Sequence, residues 1–243
     1  MVASLGNLGP GLVPGPVAMH APDGFLSPAV AAFMWVVSLV LIGVAVRRTN
    51  ETFDERAIPL MGVTAAFVFA AQMFNFQVVG GTSGHLLGGV LAAVLLGPWA
   101  GTLVMAAVIA VQGLVFQDGG LVVMGANVFN MGIVGTMGGY AVYRGLGAVL
   151  RGDGRGQLVA AGIAAWLSVV GGAAAMAVQL GISGTTDLAV ALAAMVGIHV
   201  LIGIGEALVT TAAIAFVRAA RPDLLNLRHG GVAAARATAA RAA

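Results

Sequence analysis

Polar residues are so sparse along this chain that the apolar runs between them read directly as elements. The first run, from about Ala29 to Val46, is closed by Arg47 and Arg48. At 1.5 Å per residue it is long enough to cross a hydrocarbon core of about 30 Å as a helix. Further runs extend from about Ile58 to Val79, Leu86 to Leu96, Trp99 to Phe116, Leu121 to Tyr143, Leu158 to Leu180 and Leu188 to Val217. The pattern predicts an all-α, polytopic membrane bundle of about seven helices. The third run is short and lies between GGTSGH and GPW, so it is expected to be tilted, partly re-entrant or extended into its flanks. The last is long enough to tilt or to project beyond the bilayer.

Composition agrees with this reading. Of 243 residues, 60% are hydrophobic and only 8% charged, with a mean hydropathy of +1.02. The 37 glycines suit helices that pack backbone to backbone in lipid. Cysteine is absent, which excludes disulfides, thiolate metal sites and thiol nucleophiles; metal ligands must be nitrogen, oxygen or methionine sulfur. All eleven basic residues are arginines, so there is no P-loop lysine and no ATP site of that kind. The arginines close apolar runs instead of clustering on a folded face, which argues against a nucleic-acid partner.

Those arginines also predict topology. Arg47, Arg48 and Arg56 follow helix 1, Arg144, Arg151 and Arg155 follow helix 5, and Arg218, Arg221, Arg228, Arg236 and Arg241 follow helix 7. With seven spans all three groups fall on one side, which the positive-inside rule makes cytoplasmic. The N-terminus is then outside and the C-terminus cytoplasmic, in a multi-pass protein of the inner or plasma membrane. His20, Asp23, His85, Asp118 and Asp187 fall at or near the outer face.

Three parts are expected along the chain: residues 1–18, a transmembrane domain over 19–217, and a basic cytoplasmic tail over 218–243. The first part has no positive n-region, and Pro10, Pro14 and Pro16 interrupt it, so it makes a poor signal peptide. Either a start called too early or a leader cut after Ala18 leaves Met19 as the first residue. A third reading keeps the extension as a disordered segment.

Four histidines are present: His20, His85, His199 and His229. His229 lies in the alanine-rich basic tail and reads as solvated. If Met19 is first, His20 offers one metal three successive nitrogens: the terminal amine, its own amide and Nδ1. Fused five- and six-membered chelate rings favour square-planar coordination of a late transition metal. An imidazole from His85 would complete four donors, a set that magnesium, calcium and tetrahedral zinc do not suit.

The plainer alternatives stand beside these readings. A histidine near a membrane interface often serves as a polar anchor, and GGTSGHLLGG (80–89) also reads as a tight turn capped by Thr82 or Ser83. His199 and Glu206 are intramembrane ionisable groups and therefore functional candidates, or else a polar pair that locks helices together. Asn75, Gln112, Gln117, Asn127, Asn130 and Gln179 can hydrogen-bond between helices or to a loop.

Several segments together resemble a known family: MHAPDGFLSP (19–28), FNFQVVGGTSGHLLGG (74–89), LLGPWAGTLVM (95–105), FQDGG (116–120), GANVFNMGIVG (125–135) and GIHVLIGIGEALVT (197–210). In order, over residues 19–217, they are similar to the cobalt/nickel substrate-binding component of energy-coupling-factor transporters, the CbiM/NikM type. That resemblance implies an N-terminal segment folded back into the bundle. It implies Co(II) or Ni(II) as transported substrate, held by the Met19 amine, the His20 backbone nitrogen and side chain, and the His85 side chain. It implies no catalysis, and partners in a transmembrane coupling subunit, ATPase subunits and a small accessory membrane subunit. The 18 residues before Met19 depart from the family pattern, in which the Met-His pair is the mature N-terminus. His199 and Glu206 belong to a shared motif and are expected to give structural or gating support.

A competing reading comes from GTSG (81–84), which matches the GxSG pattern of rhomboid-like intramembrane proteases, with Ser83 as nucleophile and His199 as base. It lacks an accompanying WR loop motif and leaves MHAPDGFLSP unexplained.

Overall fold

The computed structural model describes residues 20–52, 57–73, 76–78, 82–150, 154–222 and 224. Helices α1 (Pro28–Thr52), α2 (Ile58–Gln72), α3 (Gly89–Leu96) and α4 (Pro98–Val115) come first. A long rod follows without a break, made of α5 (Met124–Asn127), a π-helical segment (Val128–Gly138) and α6 (Gly139–Val149). The chain continues through α7 (Gly154–Ile182) and α8 (Leu188–Ala220). With the rod counted once, the described residues form the seven helical units expected. Four of these helices, α1, α4, α7 and α8, are long and apolar enough to cross a membrane.

Two boundaries differ from the sequence expectation, each for a local reason. The second run continues on paper to Val79, but α2 ends at Gln72. Residues 76–78 and 82–84 then pair as antiparallel strands β1 and β2, with Phe76 opposite Gly84 and Val78 opposite Thr82. The aromatic Phe76 and β-branched Val78 and Thr82 favour strands over another helical turn. This hairpin is the one departure from an all-α chain among the described residues.

The third run forms only eight residues of helix, all buried, so α3 is about 12 Å long and too short to span a bilayer by helix alone; the non-helical residues 85–88 lead into it. Gly97, at φ 92°, breaks it from α4, and Pro98 opens α4 where a missing N–H costs nothing. The result is a half-helix enclosed by α4, α7 and the rod. Outside the core, Phe33, Val36, Leu39 and Val40 of α1 and Leu201, Ile204 and Leu208 of α8 are exposed. These belts are the surface a lipid chain would meet. Arg155 at the start of α7 and Arg218 at the end of α8 line one cavity of about 570 Å³ with Leu158 and Ala215, so two of the basic helix ends lie side by side.

Candidate functional site

The segment before α1 is drawn into the bundle by the Asn127 side chain of α5 and by backbone groups of the loop just ahead of α5. Ala21 donates its N–H to Asn127 Oδ1 at 2.9 Å, and Asn127 Nδ2 donates back to the Ala21 carbonyl at 3.1 Å. Gly120 N–H reaches the same carbonyl at 2.8 Å. Asp23 then accepts from the N–H groups of Leu121, Val122 and Val123 at 3.1, 2.8 and 3.3 Å. A carboxylate at the unsatisfied start of a helix is favourable on both hydrogen-bond and dipole grounds. Here the cap comes from about a hundred residues away in sequence.

Two glycines of FQDGG make this approach sterically feasible. A Cβ on Gly120 would collide with the Asp23 carboxylate and backbone nitrogen. Gly119 stands at φ +98°, and a Cβ there would lie 3.3 Å from His20 Cβ. Another residue at 120 would have to push the N-terminal segment away, and one at 119 would be strained by the positive φ.

Docked this way, His20 is only 3% exposed and meets His85, 4% exposed, with His20 Nδ1 and His85 Nε2 3.0 Å apart. The proton positions follow from the surrounding acceptors. His85 Nδ1 lies 2.9 Å from the Leu86 carbonyl, which only accepts, so the proton is on Nδ1 and Nε2 is bare. On the other ring the chain of amides is longer. Gln72 Nε2 donates to the Leu87 carbonyl at 2.7 Å, so Gln72 Oε1 is free to accept from Gln112 Nε2 at 2.8 Å. Gln112 Oε1 must therefore accept from His20 Nε2, at 3.2 Å. The His20 proton is thus on Nε2 and its Nδ1 is bare as well. Two lone pairs face each other where a hydrogen bond between the rings has no proton to use.

Electrostatics keep the rings neutral. Burial, with a smaller contribution from His85, pulls His20 from the ordinary histidine value to about 3, against the opposing hydrogen bond to Gln112. Burial also lowers His85, while the hydrogen bond to Leu86 and the charge of Asp118 oppose the shift. Asp118 Oδ1 lies 3.7 Å from His20 Nδ1, so a negative charge flanks the position between the two lone pairs. That position suits a small cation that prefers nitrogen.

The segment carrying His85 is held from α8. Glu206, 1% exposed, accepts from the N–H groups of Leu87 and Gly88 at 2.8 Å each, with Thr210 Oγ1 at 3.4 Å. It satisfies the N–H groups of Gly88, the residue before α3, and of Leu87 ahead of it, where no side chain caps the helix. Glu206 is therefore partnered by backbone and by Thr210, and its tie to α3 replaces the His199–Glu206 pair considered from sequence. His199 donates from Nδ1 to the Met195 carbonyl of its own helix at 2.6 Å.

Of the residues singled out from sequence, the fold brings together His20, His85, Gln112, Asn127 and Asp118 in one place. Asn130 and Gln179 form a separate reciprocal amide pair at 2.7 and 2.9 Å. Met19 lies outside the described residues, as do residues 1–18. Ser83 lies on β2, whose backbone alone is described. Sequence reasoning passed over Gln72; the signal available was a polar side chain in an otherwise apolar helix.

Comparison with known proteins adds a family. Residues 20–224 match the model of a family described as the cobalt uptake substrate-specific transmembrane region. A Haloquadratum walsbyi protein that carries a metal-transport description is 40% identical over 209 residues, covering 85% of this chain and 93% of its own. The cobalt transport protein CbiM of Sorangium cellulosum is 34% identical, over 86% of this chain and 95% of its own. The fused nickel transport protein NikMN of Rhodobacter capsulatus is 34% identical, over 88% of this chain and 66% of its own. Among solved structures, that of a truncated transition metal transporter superposes with a TM-score of 0.75 at 32% identity, covering 82% of this chain and 97% of that one.

Proposed function

Because this chain belongs to the cobalt uptake substrate-specific transmembrane family, we propose that it is the metal-capturing subunit of an energy-coupling-factor importer for cobalt or nickel ions. The chain itself does no chemistry. It binds one Co(II) or Ni(II) ion at the outer face of the inner or plasma membrane; with α3 and the residues 85–88 that lead into it counted as one crossing, its N-terminus is outside and its C-terminus cytoplasmic. A coupling subunit in the membrane, ATPase subunits and a small accessory membrane subunit supply the energy and complete the assembly.

The observation that carries this reading is the pair of bare nitrogens, His20 Nδ1 and His85 Nε2, 3.0 Å apart. Two nitrogens each about 2.0–2.1 Å from one ion, at a right angle, stand about 2.9 Å from each other. The separation therefore suits adjacent corners of a square. In the chelate sequence of Met19 amine, His20 amide and His20 Nδ1, Nδ1 is the end of the tridentate arm. The fourth donor then sits next to it, and the 3.0 Å approach of His85 Nε2 to His20 Nδ1 supports His85 in that role. Among the described residues no group of three or more His, Asp or Glu side chains is placed to hold a metal. Main-chain nitrogen supplies the remaining donors, and the amine of Met19 must be free.

A competition titration tests this. Protein beginning at Met19 is expected to bind one equivalent of Co(II) or Ni(II), and a single glycine placed ahead of Met19 is expected to abolish tight binding. Equal affinity in the two forms would refute the chelate. A protein beginning at Met19 that binds neither ion would refute the function. The rhomboid-like reading gains no support from the relatives, whose names are those of metal transport proteins.

A further inference from the structure

The cavity of about 570 Å³ where α7 begins and α8 ends takes no part in the metal site. Its wall is formed by Gly154, Arg155 and Leu158 of α7 and by Ala215, Arg218 and Ala219 of α8. Two guanidinium groups thus share one space whose other lining side chains are apolar. The ion pairs among the described residues are His20–Asp118, Arg47–Glu51 and Arg48–Glu51, so neither Arg155 nor Arg218 has an acidic partner among them. Arg155 also stands in the first turn of α7, which holds no acidic residue and where the helix dipole disfavours a cation. Positive charge is gathered here against both mutual repulsion and the dipole, and an anion in the cavity would relieve both.

Packing fixes where one of the two cations lies. Gly154 is the first residue of α7, and a Cβ there would collide with Cζ and both terminal nitrogens of Arg218. The Arg218 guanidinium of α8 therefore rests on the bare Cα that precedes Arg155.

From the cavity, α8 offers a continuous apolar track. Ala215, Leu208, Ile204 and Leu201 are spaced by seven, four and three residues and so share one face, and the three larger side chains are exposed. From Ala215 to Leu201 the helix rises about 21 Å, more than the roughly 15 Å of one leaflet's hydrocarbon. Both α7 and α8 are long and apolar enough to cross a membrane. A ligand placed here meets two cations at the helix ends and then a strip of hydrocarbon that runs into the bilayer. An amphiphile with an anionic head uses both halves, whereas a free anion or a partner's carboxylate uses only the first.

We propose that this cavity is a site for one anionic glycerophospholipid, its phosphate between the Arg155 and Arg218 guanidiniums and an acyl chain along Leu208, Ile204 and Leu201. A guanidinium presents paired N–H donors that match phosphate oxygens, and basic pockets between membrane helices take lipid headgroups of this kind. The bound phosphate bridges the start of α7 to the end of α8 and offsets the repulsion between the two arginines. This site stands or falls independently of metal capture.

Native mass spectrometry of the full chain in detergent, titrated with phosphatidylglycerol or phosphatidylcholine, tests it. Phosphatidylglycerol is expected to fill one site at least about tenfold more tightly than phosphatidylcholine, and Arg155→Gln/Arg218→Gln to abolish that preference. Arg144→Gln removes a charge from α6 outside the cavity and should leave the preference intact. Equal losses in the Arg144 and cavity variants would assign the effect to net charge and overturn the site. A double variant that keeps the preference overturns it as well. Inorganic phosphate that displaces phosphatidylglycerol at equal concentration overturns the lipid in favour of a small-anion site. Equal binding of the two lipids by the parent also overturns it, and loss of a co-purifying coupling subunit from the double variant would then assign the arginines to a protein contact. Should the double variant fail to fold, Arg155→Gln and Arg218→Gln are read singly, each expected to reduce the preference by about threefold or more.

Discussion

His20 Nε2 donates to Gln112 Oε1 at 3.2 Å, and this bond decides which nitrogen of His20 is available as a ligand. Its direction is inherited from the Leu87 carbonyl through Gln72 and Gln112, so two glutamines on separate helices set the His20 tautomer at the proposed metal site. Partners of this kind change metal affinity by roughly 10–100-fold when removed. Gln112→Leu is expected to weaken Ni(II) or Co(II) binding by about that range. Gln112→Glu, which still accepts from His20, should retain more affinity than Gln112→Leu in the same competition assay. Equal losses in the two variants would show that the amide chain does not orient the ring.

Replacing His85 by Ala removes one of the two facing lone pairs and leaves the other with an open side. Metal affinity is expected to fall by about a hundredfold or more, since a donor is lost and not merely reoriented. Thermal stability of the metal-free protein should change much less than metal affinity. A His85→Ala protein with near-parent affinity in a chelator titration would exclude His85 as a ligand.

Gly120→Ala tests the docking of the N-terminal segment without touching a donor atom. The added methyl meets the Asp23 carboxylate and backbone nitrogen, so residues 20–24 must move away from the loop. The expected result is loss of tight metal binding together with increased protease sensitivity near residues 20–24. A Gly120→Ala protein that binds metal like the parent would show that the segment docks by another route.

Glu206→Ala leaves the buried N–H groups of Leu87 and Gly88 without their acceptor. Each such loss costs about 1–3 kcal/mol, so a destabilisation of at least about 2 kcal/mol is expected. Thermal unfolding in detergent would show it as a lowered Tm. Metal binding should be restored in part by excess ion, because ligation favours the folded form.

Acid should destabilise the metal-free protein through the same two rings. His20 has a folded pKa of about 3, below its ordinary value of about 6.5, and burial shifts His85 in the same direction. Between those values the unfolded chain binds protons that the folded chain does not. The stabilising contribution is therefore complete above about pH 6.5 and declines as pH falls toward 3. Melting temperatures of parent and His20→Ala protein, taken from about pH 7.5 to about pH 4.5, should show a steeper decline in the parent.

Much of the architecture was legible in the chain because a membrane allows few solutions. An apolar run of about 20 residues must be a helix that satisfies its own backbone, and arginines mark where such runs end. His20 stood out because a histidine following Met19 carries its own chelate geometry, and His85 because it lies in a glycine-rich segment where backbone can approach an ion. What no local pattern could show was the partner of each polar group. Asp23 caps a helix start about a hundred residues away, Glu206 caps α3 from α8, and Gln72 orients His20 through Gln112. Each of these is a long-range backbone or amide contact, decided by which helices pack together. Tautomers, like caps, depend on the nearest acceptor in space, and only the folded bundle determines which acceptor that is.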